Sequence, residues 1–159
     1  MRPPPAPHAI MDWINITPSD LECVLNKPQL DILKAQSLKT PGREPAAEII
    51  DSIVVRIRAE IAASGLNSID PDHSRIPPEL KECALRLPAE ALQTRLPQME
   101  LTERQCKLAD IARETLARVA RGELPIGEPL VGIRTGLPKK GAHFGAAARI
   151  ATRRSTRGL

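Results

Sequence analysis

Aromatic side chains are nearly missing: Trp13 and Phe144 are the only two in 159 residues, and tyrosine is absent. The core must therefore be aliphatic, and no row of rings is available to stack nucleic-acid bases. Cysteine is scarce as well. Cys23, Cys83 and Cys106 form an odd set with no C-x-x-C pair and no histidine at ligand spacing. That argues against a disulfide framework and for a reducing cytoplasm, with the thiols buried on apolar helix faces. No apolar run approaches the roughly 18–20 residues that a bilayer-spanning helix needs, so no membrane segment is expected. His8, His73 and His143 are scattered, and Asp70-Pro71-Asp72-His73 reads as ordinary turn chemistry rather than a metal or acid–base cluster. The glycines between 127 and 145 match neither G-x-G-x-x-G nor G-x-x-x-x-G-K-[ST]. Glu79 and Glu82 read as exposed helix charges, and no Ser/His/Asp arrangement can be drawn. The expectation is a protein that is not an enzyme and carries no catalytic residue, cofactor or metal.

What is present is helical. Hydrophobic residues make up 42% of the chain, enough for a core, and Leu, Ile, Val and Ala suit helices packed on helices. Thr17-Pro18-Ser19-Asp20 is a helix start followed by Leu21, Val24 and Leu25. Pro28 is expected to break that piece, leaving a further short turn or two at Leu30, Ile32 and Leu33. The strongest signal spans Pro45 to Ser64, where Ile49, Ile53, Ile57 and Ile61 recur every fourth residue, with Ile50 and Val54 widening the stripe. Glu48, Asp51, Ser52 and Arg58 are expected on the solvent side, and Gly65 as the stop. A third helix is expected from Pro78 to Pro97 with an inner face of Leu80, Cys83, Ala84, Leu87 and Ala91, kinked or broken at Pro88. A fourth runs from Thr102 to Arg121 on Gln105, Leu108, Ala112, Leu116 and Val119, flanked by Ala109 and Ile111, and stops at Gly122. The fold class is all-α, a small bundle of about four helices with an extended C-terminal arm.

Three regions follow: a flexible arm over 1–16, a helical domain over 17–122 and a basic extended arm over 123–159. The sequence MRPPPAPHAI is too proline-rich for a signal peptide, and Met11 is an alternative start. Charge separates the last two regions. Residues 1–122 hold 16 Lys/Arg and 17 Asp/Glu, a balance of −1, whereas residues 123–159 hold 7 and 2, a balance of +5. Pro125, Pro129, Pro138 and spaced glycines leave that segment no core of its own, although residues 146–150 could form a helical turn. Deleting 123–159 is expected to leave 17–122 folded. The segment's expected role is to lie on other protein chains, with Leu130, Val131, Ile133, Leu137, Phe144 and Ile150 in shallow apolar sites. Phe144 is the expected anchor, and Arg149, Arg153, Arg154 and Arg157 face acidic groups or DNA.

The stretch from Ala46 to Ile126, with the TPSDLECVL segment before it, carries a family resemblance. In order come AAEIIDSIVVRIRAEIAASG, IPPELKECALRLPAEAL and ERQCKLADIARETLARVARGELPIG, the last ending in the phrase ARGELPIG. This resembles the small helical head–tail connector proteins of tailed bacteriophages, also called head-completion or neck adaptors. The resemblance implies self-assembly into a ring, typically dodecameric, with the portal protein above it and a stopper or tail-completion protein below. It also implies a place in the virion neck, assembly in the host bacterial cytoplasm, and DNA passing without sequence-specific contact. The alternative is a small helical nucleic-acid-associated protein that binds through its basic C-terminal tail.

Overall fold

The computed structural model describes residues 10–39 and 44–134. Its architecture is mostly helical, as expected: α1 (Lys27–Lys39), α2 (Pro45–Ala63), α3 (Lys81–Arg95) and α4 (Glu103–Ala120). Short 3-10 turns at Pro18–Cys23 and Pro78–Leu80 precede α1 and α3. Two-residue strands complete it: β1 (Ile10–Met11), β2 (Ile14–Asn15), β3 (Ser68–Ile69), β4 (Arg75–Ile76), β5 (Glu128–Pro129) and β6 (Ile133–Arg134).

The isoleucine stripe makes α2 a core helix. Ile49, Ile50, Val54, Ile57 and Ile61 are buried, while Ile53 packs against the core with part of its side chain open to solvent. So many β-branched residues are poor helix formers, and burial against α3 and α4 is what holds them helical. Arg58 departs from expectation. It lies at the rim of the stripe, but Trp13 and the chain after Ile69 fold over it and leave it 8% exposed.

α3 is the central helix, packed on both α2 and α4. Cys83, Ala84, Leu85, Leu87, Pro88, Ala89 and Leu92 are all buried. Of the kink or break expected at Pro88, the break is absent, because α3 runs continuously from Lys81 to Arg95. A proline there forfeits one helical hydrogen bond, and Pro88 is itself buried among the apolar residues of α3. α4 starts where Thr102 predicts. The Thr102 hydroxyl accepts from Gln105 N at 3.3 Å, and Gln105 Oε1 accepts from Thr102 N at 2.9 Å, a reciprocal cap. Ala109, Ala112, Leu116 and Val119 face inward, but Ile111, expected on the flank of the stripe, is 59% exposed. Gly65 and Gly122 end α2 and α4 with φ of 62° and 71°, the left-handed conformation that favours glycine.

Pro28 opens α1 instead of breaking a helix. It sits in the first turn, where no backbone N–H is needed. Asn26 and Gln29 cap each other, with Gln29 N donating to Asn26 Oδ1 (3.0 Å) and Asn26 N to Gln29 Oε1 (2.9 Å). The Gln29 amide is buried and donates to Glu100 O, while Gln105 Nε2 donates to Val24 O. These bonds fasten the start of α1 to the start of α4. The far end of α1 is less covered, and Leu38 is 84% exposed.

Before α1, the Asp20 carboxylate accepts from Thr17 N (2.9 Å) and Thr17 Oγ1 (2.7 Å) and pairs with Lys81 Nζ (3.0 Å). The Thr17 backbone bond, then its hydroxyl, then Lys81 lower the Asp20 pKa to about 2. Asp20→Ala should cost about 1 kcal/mol near neutral pH, the usual worth of such a cap. A carboxyl with a depressed folded-state pKa stabilises fully above its ordinary pKa, and that contribution is lost as the pH falls through the folded value. The wild-type and variant urea midpoints should therefore converge as the pH falls toward 2. A gap undiminished there would remove the carboxylate from the explanation.

Both flanking regions enter the fold, which corrects the expected boundaries. β1 runs parallel to β5 (Ile10 opposite Glu128, Met11 opposite Pro129), β2 antiparallel to β4 (Ile14 opposite Ile76), and β3 antiparallel to β6 (Ser68 opposite Arg134). Trp13 and Ile126 are buried in the same core as α2 and α3. Proline and glycine spacing hid these segments, because two-residue strands have no period to detect.

Candidate functional site

The two ends of the described chain meet in a clasp. The Trp13 indole N–H donates to Gly127 O at 3.2 Å, and Gly127 N donates to Glu79 Oε1 at 2.9 Å. The chain passes so close there that a Cβ on Gly127 would lie 2.9 Å from Glu79 Oε1 and 3.0 Å from the Met11 sulfur. Beneath Trp13, 5.6 Å from its ring centre, lies the Arg58 guanidinium. Arg58 Nη1 donates to Asp72 O (2.9 Å) and Arg75 O (2.6 Å), and Nη2 to Asp70 O (2.5 Å). Burial pulls the Arg58 pKa down, against the opposing charges of Asp70 and Asp72. One cation thus gathers α2, the loop between β3 and β4, and the N-terminal strands.

That loop is turn chemistry. Asp70 Oδ1 accepts from Asp72 N, Asp72 Oδ1 accepts from Ser74 N and Ser74 Oγ, and His73 is exposed. The Ser74 hydroxyl bond, more than Arg75, keeps the Asp72 carboxyl below the ordinary range. Among the described residues no group of three or more His, Cys, Asp and Glu side chains could hold a metal ion. Cys83 is buried, and burial raises its thiol pKa, away from the nucleophilic thiolate. Cys106 is only half-buried and Cys23 is exposed, contrary to the expectation for both.

Beyond the clasp the C-terminal segment shows its apolar side chains. Leu130 and Val131 are 66% and 68% exposed, and Ile10, opposite Glu128 in β1, is 67% exposed. Ile133 belongs to β6 and pairs with Ile69. Leu137, Phe144, Ile150, Arg149, Arg153, Arg154 and Arg157 lie outside the described residues. The expected site residues are therefore split, with three rooted on the body. Sequence reasoning missed Trp13, Arg58 and Glu79, the groups that fix that root. A lone tryptophan in a chain so poor in aromatics was the one available signal.

No helix among the described residues is long and apolar enough to cross a membrane. Comparison with protein-family models, with curated proteins and with solved structures finds no match to this chain.

Proposed function

We propose that this chain is a structural, non-enzymatic adaptor of the head–tail connector kind, which assembles into a ring and joins a portal protein to a stopper or tail-completion protein in a phage-type neck. The observation that carries the reading is the anchored arm. The body grips the C-terminal segment through residue 134, exposes Leu130 and Val131, and sends on a stretch holding Lys139, Lys140, Arg149, Arg153, Arg154 and Arg157 with no acidic residue. A segment rooted this firmly starts from a fixed point, which lowers the ordering cost when it meets a partner. The helical body leaves Leu38, Val55, Leu66 and Ile111 exposed, so association can bury apolar surface that a single chain leaves open. Its place would be the virion neck, with DNA passing through the ring.

The test is co-expression with a portal protein, followed by native mass measurement and electron microscopy. A ring that co-purifies with the portal, and detaches when residues 135–159 are exchanged for a neutral linker, is the expected result. That exchange keeps the clasp and the pairing of β5 and β6, so a loss of assembly is not a loss of folding. A monomer that ignores the portal but binds duplex DNA with steep salt dependence would instead establish the nucleic-acid-associated alternative.

A further inference from the structure

A groove of about 470 Å³ opens between the first 3-10 turn and the far half of α1. Pro18, Leu30 and Leu33 form its apolar floor beside the exposed Leu38, while Glu22, Glu44 and Lys34 carry the charge around it. Glu22 and Glu44 are exposed, and among the described residues that line the opening acidic groups exceed basic ones by one. Its size falls within the roughly 300–1,000 Å³ of sites that enclose small ligands, ample for one aromatic side chain and its neighbours.

The groove and the root of the C-terminal segment lie at opposite ends of α2. Glu44 immediately precedes the helix, whereas Ser68, which pairs with Arg134, follows its end. Nineteen helical residues separate these points by about 28 Å. Residues 135–159 number 25 and could span up to about 80 Å when extended. They offer what the groove lacks: Leu137, Phe144 and Ile150 for the floor, and six basic residues with no acidic one for the rim. A segment that leaves one end of the body and is received at the other makes a head-to-tail contact, the kind that closes rings.

We propose that this groove receives residues 135–159 of a second copy of the chain, with Phe144 on the apolar floor and the basic residues against Glu22 and Glu44. The inference rests on the reading that the chain assembles with copies of itself, but portal binding plays no part in it.

The test uses the full chain with Phe144 replaced by photoreactive benzoylphenylalanine. Equal parts of nitrogen-15-labelled and unlabelled protein are mixed, irradiated and mapped by mass spectrometry. Cross-links should fall within residues 18–44. Labelled–unlabelled pairs should make up about half of them, as random mixing of a contact between copies requires. The double variant Glu22→Lys, Glu44→Lys changes exposed positions only and should keep its helical signal. It should lower the yield about tenfold, because like charges then face each other. Pairs within like chains only would place the segment in its own groove and overturn the proposal. Cross-links elsewhere, none at all, or a yield indifferent to the charge reversal would overturn it too. A portal that fails to bind while these cross-links form would count against the adaptor reading alone.

Discussion

Truncation after Gly122 is expected to collapse the cooperative fold, whereas a chain ending at Arg134 should melt much as the full chain does. The shorter product loses Ile126, which is 4% exposed in the core, and Pro129, which is also buried. Restoring one large aliphatic side chain to water costs about 1.5–3 kcal/mol. Trp13, 3% exposed, loses the carbonyl that its indole N–H donates to, and a buried donor without a partner costs about 1–3 kcal/mol. β1 and β3 lose their partners as well. Together these reach about 5 kcal/mol, comparable with the whole stability of many domains, which is about 5–15 kcal/mol. A chain ending at Arg134 keeps every one of these contacts. Far-ultraviolet circular dichroism, thermal melting and the emission of Trp13, the single tryptophan, would read the difference. A fully cooperative, near-native melt after Gly122 would return residues 123–134 to the status of a dispensable arm.

The helices were legible because their signals are dense. Twenty residues with isoleucine every fourth position, a Thr102–Gln105 cap and glycines at two helix ends all agree with one another, and α2 and α4 stand where those signals put them. Pro28 and Pro88 break no helix, for one shared reason. A proline's effect depends on whether its missing N–H was needed and on what surrounds the turn, and sequence shows neither. Pro28 falls in a first turn, and Pro88 is buried within a helix that packs on both α2 and α4. The root of the C-terminal segment was illegible on other grounds. Its contacts join positions more than a hundred residues apart, Trp13 with Gly127 and Met11 with Pro129, and each strand is too short to carry a pattern. Arg58 was hidden in plain sight, since an arginine at the edge of an apolar stripe is normally solvated. Only the folded chain reveals the three carbonyls converging on it.

Those three carbonyls make Arg58→Met the other substitution with a large expected effect. Methionine can follow the path of the aliphatic stem, so packing volume is roughly conserved while every donor is removed. Asp70 O, Asp72 O and Arg75 O then lose the donor that gathers them, and Trp13 loses the cation 5.6 Å from its ring centre. Water reaches the outer part of this loop, where Asp72 and His73 are exposed, so the carbonyls will not all stay unpaired. The expected loss is accordingly about 3–5 kcal/mol, below the sum of three separate buried vacancies. Arg58→Lys tests the geometry. An ammonium keeps the charge but cannot spread its donors across two nitrogens toward three carbonyls, so it should recover only part of the loss. Urea unfolding read through Trp13 measures both variants, and an unchanged slope with a lower midpoint would identify a stability effect rather than a new unfolded state. Should Arg58→Met cost less than about 1 kcal/mol, the guanidinium would be a passenger beneath Trp13, and the joining of α2 to the loop and the N-terminal strands would have to come from the apolar contacts of Trp13, Ile69 and Ile76 alone.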